Sequence, residues 1–182
     1  MLRFATSSQT GQSSKWDIID YYGKEKKSFD FVKQSYQPLL PSVKFDKRRW
    51  MPGEEFVSDL FVINDYYRVY DNVTYSCEVT NIKGEVIYTQ EQVVAKIGEN
   101  ISEKVGELKY TVEGKEGESF SIKVRLVQNG EVLSENNYTL LIADQEKAKL
   151  QAYELYKEMH AKRGDYGRGY YRYTPELVYN LD

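Results

Sequence analysis

Asp46-Lys-Arg-Arg-Trp-Met-Pro-Gly-Glu-Glu-Phe-Val-Ser-Asp-Leu-Phe-Val-Ile-Asn-Asp65 is the seam of this 182-residue chain. Pro52 fixes φ and Gly53 accepts the positive φ that a type II turn requires, so the pair predicts a reversal. Glu55 to Ile63 follows as an extended run whose Phe, Val and Ile side chains suit a pleated, half-buried surface. Asn64 and Asp65 stop it, because their short side chains hydrogen-bond nearby backbone. Upstream of the seam the chain reads as helix, and downstream as strands.

From Val43 to Ile142 the hydropathy alternates with period two. Val73, Tyr75, Cys77 and Val79 alternate with polar neighbours, as do Leu108, Tyr110 and Val112. Phe120, Ile122, Val124 and Leu126 form the cleanest run. Such alternation buries one face and wets the other, as in antiparallel sheets. Hairpin turns are predicted at Asn81–Gly84, at Glu113–Gly117 and at Asn129-Gly130, the last because a type I′ turn needs positive φ twice. The expected fold is mainly β: an immunoglobulin-like antiparallel β-sandwich of about seven strands with flanking N- and C-terminal helices.

The first helix is predicted over Lys24–Tyr36, where Phe29, Val32 and Tyr36 share a face, and Pro38 ends it. The second is predicted over Gln145–Arg163, capped by Asp144 and ended by Gly164. Ala148, Ala152, Leu155 and Met159 form its stripe, with Tyr153, Tyr156 and His160 beside it. The divisions expected are 1–15, polar and disordered; 16–45, the closing motif and last helix of a truncated preceding domain; 46–143, the sandwich; and 144–182, helix and Tyr-rich tail.

A formal net charge of −3 and a pI near 5.4 speak against a nucleic-acid partner, which selects for a basic balance. No run approaches the roughly twenty apolar residues of a membrane span, and Met1–Ser14 lacks the apolar core of a signal peptide. The single cysteine, Cys77, excludes an internal disulfide and sits where a buried, inert thiol belongs. One histidine, His160, is too isolated for a histidine-based metal site or a Ser-His-Asp triad. Neither a metal nor a cofactor is expected. Asn72-Val-Thr74, Asn100-Ile-Ser102 and Asn137-Tyr-Thr139 fit the N-glycosylation triplet, which means little without export.

Two motifs carry a family resemblance. Trp50-Met-Pro-Gly-Glu, an apolar strand and Asn64-Asp65 resemble the opening of the C-terminal immunoglobulin-like domain of family 2 glycoside hydrolases, in the β-mannosidase and exo-β-glucosaminidase-like group. Upstream, Trp16-Asp-Ile-Ile-Asp-Tyr-Tyr-Gly23, then Lys24–Tyr36 and Pro38-Leu39-Leu40, resemble the end of that family's catalytic (β/α)8 barrel and its exit. The similarity covers Trp16 to Ile142. Before Trp16 the family pattern of Asn-Asp-x-Trp-Pro is replaced by Ser8-Gln-Thr-Gly-Gln12, as in a truncated or separately encoded tail.

The resemblance implies a parent enzyme that hydrolyses terminal β-linked sugars without a cofactor. A retaining glycosidase needs two carboxyl groups about 5–5.5 Å apart; in this family one is the Glu of an Asn-Glu pair, and this chain contains no Asn-Glu pair. Catalytic residues are therefore expected to be absent, and the chain to be a non-catalytic accessory portion with an architectural or assembly role. Trp16, Asp20 and Tyr21 map to the barrel end nearest the family's sugar site, as a sugar-site remnant or as packing between barrel and sandwich. Partners expected are a catalytic barrel in cis or in trans, or a second copy, and a carbohydrate; nucleic acid and membrane are not. The resemblance implies a periplasmic or secreted parent in bacteria, although this chain shows no signal peptide. The rival reading is a free-standing carbohydrate-binding or adhesion module, which needs exposed aromatic rings. The tail, with Tyr166, Tyr170, Tyr171, Tyr173 and Tyr179 among Arg168 and Arg172, is read as wrapping a neighbouring surface.

Overall fold

In the computed structural model of the chain the described residues are 3–5, 17–19 and 22–163. Eight strands build two packed sheets. β3 (Leu39–Lys44), β5 (Glu55–Asn64) and β8 (Ile101–Thr111) form one, in the order β3-β5-β8. β4 (Arg49–Trp50), β6 (Tyr70–Thr80), β7 (Val86–Ile97), β9 (Ser119–Gln128) and β10 (Glu131–Ile142) form the other, in the order β4-β10-β9-β6-β7. All pairings within the two sheets are antiparallel except that of β4 with β10. Crossings between sheets after β3, β4, β5, β7 and β8, and hairpins after β6 and β9, give the immunoglobulin-like sandwich that the alternation predicts.

The inward positions are those of the period-two reading. Val73, Tyr75, Val79, Leu108, Ile122, Val124 and Leu126 have no measurable exposure, and Phe56, Leu60 and Val62 meet them from β5. Trp50 lies against Phe56 with ring centroids 4.8 Å apart, and Phe56 meets Phe120 edge-on at 6.2 Å. The seam itself folds as its chemistry dictates. Gly53 takes φ 78° and the Glu54 N–H donates to the Met51 carbonyl at 3.1 Å, closing the turn. Asn129 and Gly130 take φ 54° and 83°, the doubly positive turn of the β9–β10 hairpin.

Glu113–Gly117 departs from expectation: it carries the chain from one sheet to the other instead of closing a hairpin. The Gly117 N–H donates to the Ile142 carbonyl at 2.8 Å, so the segment docks on β10. Gly114 is needed there, with φ 133° and only 2.5 Å between an added Cβ and Ile142 Cδ1.

The expected divisions also shift. Leu39–Lys44 falls within 16–45, yet it pairs in register with Asp59–Asn64 and belongs to the sandwich. Within 1–15, β1 (Arg3–Ala5) pairs in parallel with β2 (Asp17–Ile19); an average over polar composition hides so short a pairing segment. The helix expected over Lys24–Tyr36 is only α1 (Ser28–Ser35), because Glu25 bridges Ile19 and draws the preceding residues out of the helix. Tyr36 caps it and is 70% exposed, so it does not complete a buried face. The second helix, α2, spans Gln145–Arg163. Its cap is Asp144, whose carboxylate accepts the Lys147 N–H at 3.1 Å. Ala152 and Leu155 of its apolar stripe are exposed, and the Met159 and His160 side chains lie outside the described residues. No helix among the described residues is long and apolar enough to cross a membrane.

Candidate functional site

Two packed sheets leave open seams at both sides, because the edge strands of one sheet do not hydrogen-bond to the other. Edge strands carry unpaired backbone groups, and buried ones must find partners. On one side β10 supplies them. Its inward positions 134, 136 and 138 hold Ser, Asn and Tyr where apolar residues would otherwise stand. Ser134 Oγ donates to the Leu39 carbonyl, Asn136 Nδ2 to the Pro41 carbonyl at 3.0 Å, and the Tyr138 hydroxyl accepts the Val43 N–H at 3.2 Å. On the other side Gln90 and Gln92 of β7 reach the carbonyls of Glu107 and Val105, at 2.7 and 2.9 Å. Gly106 leaves room for the Gln92 carboxamide, which would lie 2.3 Å from a Cβ there.

α1 lies along the first seam. Gln34 Nε2 donates to Asn136 Oδ1, Gln37 Nε2 donates to the Glu135 carbonyl at 3.1 Å, and Gln37 Oε1 lies 3.0 Å from Ser134 Oγ, sharing its one proton with the Leu39 carbonyl. No residue of the helix is buried, and Phe31 is 70% exposed. Between helix and sandwich opens a cavity of about 620 Å³, lined in part by Phe31, Gln34, Phe45, Arg48, Asn137 and Tyr138. Its floor is aromatic, with Phe45 edge-on to Tyr138 at 5.5 Å, and its walls are amides and hydroxyls with one guanidinium, that of Arg48. Such a wall offers hydrogen bonds from amides, hydroxyls and one arginine, together with apolar contact. It holds no carboxylate to act as an acid or a nucleophile.

The remaining ionisable groups have structural surroundings. Burial pushes the Cys77 thiol up to about 12, far from the thiolate that reacts. The phenol of Tyr75 is raised by burial and donates to the Ser42 carbonyl at 3.1 Å. Partial burial tends to raise Glu54, but the Lys47 ammonium and the Met51 N–H outweigh it and hold the carboxyl below its ordinary value. Hydrogen bonding and charge from Lys104 hold Glu107 down likewise. Arg125 bridges Glu78 and Glu135 at 3.6 and 3.5 Å across the outer face of the larger sheet. Among the described residues no group of His, Cys, Asp and Glu is placed to hold a metal. Trp16, Asp20 and Tyr21, the expected sugar-site remnant, lie outside the described residues, as does the tail from Gly164.

Residues 57–141 match the family described as the Mannosidase Ig/CBM-like domain. The sandwich is a mannosidase Ig/CBM-like domain. The matched region is the Ig-like part of such proteins, distinct from a catalytic barrel. Solved structures agree on the fold. The exo-chitosanase CsxA of Amycolatopsis orientalis is 20% identical, with a TM-score of 0.51 over 71% of this chain and 14% of that one. The β-D-mannosidase of Dictyoglomus thermophilum is 22% identical, with a TM-score of 0.50 over 70% of this chain and 14% of that one. The chain thus spans about one seventh of the solved relatives' length. Comparison with curated protein sequences gave no match.

The seam of the Ig/CBM-like domain was not anticipated from sequence. Its signal was present: Ser134, Asn136 and Tyr138 occupy the inward register that Leu140 and Ile142 continue. Polar residues at three successive inward positions indicate a backbone that must be satisfied nearby.

Proposed function

We propose that this chain is the non-catalytic, immunoglobulin-like accessory portion of a family 2 glycoside hydrolase acting on β-linked sugars, and that its role is to join the sandwich to a catalytic barrel. The observation that carries this is the state of α1. The helix is tied to the seam by glutamine amides, yet it buries no side chain and leaves Phe31 and Tyr36 each 70% exposed. A helix of this kind is half of an interface, because an eight-residue helix gains most of its stability from packing. The family of the sandwich supplies the class of partner, and the resemblance of Trp16–Gly23 to a barrel end supplies its side. On this reading 16–38 is the end of the barrel and the sandwich begins at Leu39.

The purified chain should not hydrolyse aryl β-mannosides, β-glucosides or β-glucosaminides. It should bind a separately expressed barrel, with Phe31→Ala and Tyr36→Ala weakening the complex. Turnover that disappears on mutating one of the chain's own carboxylates would overturn the non-catalytic assignment. Failure of the chain to bind any barrel of the family would overturn the joining role.

A further inference from the structure

A second cavity, of about 320 Å³, opens between the segment leading into β4 and the start of α2. Phe45 and Arg48 line both this cavity and the larger one beside α1, so the two adjoin. The chain is acidic overall, with a formal net charge of −3, yet Lys47, Arg48, Arg49 and Lys149 meet here against one acid, Asp46.

Two of these cations are already engaged. Lys47 pairs with Glu54 and stands over the Trp50 ring, 4.4 Å from its centroid, and Lys149 pairs with Glu146 at 3.8 Å. Arg48 and Arg49 differ: among the described residues neither guanidinium has a hydrogen bond, an ion pair or a ring partner. A guanidinium offers its donors in a rigid fork that fits a carboxylate. Two of them in one concavity, with Phe45 as an apolar wall, fit an extended peptide that carries two carboxylates and apolar side chains between them.

Such a segment belongs to the chain itself, outside the described residues. Residues 175–182 read Pro-Glu-Leu-Val-Tyr-Asn-Leu-Asp; Glu176 and Asp182 are their charged side chains, with Leu177, Val178, Tyr179 and Leu181 between. Residues 164–174 carry the opposite balance, Arg168 and Arg172 against Asp165. Reach is sufficient. α2 starts at the cavity, where Gln145 lines it, and at 1.5 Å per residue its 19 residues end at most about 28 Å away. Residues 164–174 span up to about 36 Å when extended. A tether this short holds the segment at an effective concentration of roughly millimolar order, so a contact too weak to hold a free peptide is occupied in cis.

We propose that residues 175–182 seat in this cavity, with Glu176 and Asp182 on the guanidiniums of Arg48 and Arg49 and the apolar side chains against Phe45. A small anion would use the guanidiniums and leave the ring uncovered. The seat is separate from the outward face of α1 assigned to the barrel, and neither proposal depends on the other.

Paramagnetic relaxation in the whole chain tests it. Cys77 is buried and its thiol is pushed up to about 12, so Asn180→Cys supplies the thiol that a nitroxide reagent modifies while both carboxylates stay. The amide signals of Phe45 to Arg49 should lose most of their intensity. Those of β7, at the far edge of the larger sheet, should keep theirs. Arg48→Glu with Arg49→Glu should restore the lost signals. Adding Glu176→Lys and Asp182→Lys should remove them again, a rescue that misfolding cannot produce. Full intensity at Phe45 to Arg49 in the parent background would overturn the proposal, as would signal loss that survives the reversal of both arginines. In a mixture of nitroxide-bearing and unlabelled chains, loss in the unlabelled chain would make the occupant a second copy's segment and overturn the seat in cis.

Discussion

Asn136 Nδ2 donates to the carbonyl of Pro41 at 3.0 Å, joining two sheets across 95 residues of chain. The same amide donates to the Tyr138 hydroxyl at 2.8 Å, and its oxygen accepts the Asn137 N–H at 2.8 Å. It thereby replaces the backbone ladder that β3 and β10 cannot form. Asn136→Leu keeps the approximate volume but strands a buried carbonyl, at a cost of about 1–3 kcal/mol. Urea unfolding should show a lower midpoint at an unchanged slope. An unchanged midpoint would mean that water takes the amide's place.

Gly114→Ala should destabilise through two separable effects. Its φ of 133° disfavours any L side chain, and the new Cβ would stand 2.5 Å from Ile142 Cδ1. A loss of about 1–3 kcal/mol is expected. Ile142→Val removes the clashing atom, so in the double variant the two losses should sum to less than their separate values. Strict additivity in thermal melts would show that backbone strain alone sets the cost.

Alternation made the centre of the fold legible from the residues. Phe120, Ile122, Val124 and Leu126 are buried as their spacing requires, and Asn129-Gly130 turns as positive φ demands. β3 was hidden because Leu39-Leu-Pro-Ser-Val-Lys44 contains a proline. Proline is tolerated on an edge strand, and residue 41 faces the unpaired side, where no ladder N–H is needed. Glu113–Gly117 was misread because glycines announce a change of direction without saying which sheet receives the chain. The β5–β6 loop was equally opaque: Tyr66, Tyr67 and Tyr70 look alike in sequence, yet the first two are exposed and Tyr70, which opens β6, is buried.

Glu54 gives the domain a measurable acid limb. Its folded-state pKa lies below the ordinary 4.5, so its contribution is complete above 4.5 and is lost as pH falls through the folded value. Wild type should therefore exceed Glu54→Gln in stability above that pH, by less than about 1 kcal/mol for so exposed a pair. The gap should close on acidification. A gap that widens as pH falls would contradict the Lys47 and Met51 contacts as its source.

Cys77 should be silent in the native state. It is 1% exposed, and its thiol is pushed up to about 12. At pH 8 a thiol reagent should modify it only through global unfolding, because its neighbours on β6 and β9 belong to the core. The modification rate should rise with urea in parallel with the unfolding transition. Rapid labelling in buffer alone would place β6 in a different register.

α1 should open independently of the sandwich. It has eight residues, below the length at which helices persist alone, and buries none of them. Its ties to the sandwich are the amides of Gln34 and Gln37, and hydrogen bonds reachable by water contribute only about 0.5–1.5 kcal/mol each. Hydrogen exchange in the helix should therefore proceed by local opening, far faster than in β9, where protection reports global stability. Gln37→Ala removes the bonds to Glu135 and Ser134, and should speed exchange in α1 while leaving β9 unchanged. A partner that covers Phe31 and Tyr36 should slow it toward the rate of the core. Equal protection of α1 and β9 in the isolated chain would show that the helix is packed by more than these amides, and its exposed face would then not be awaiting a partner.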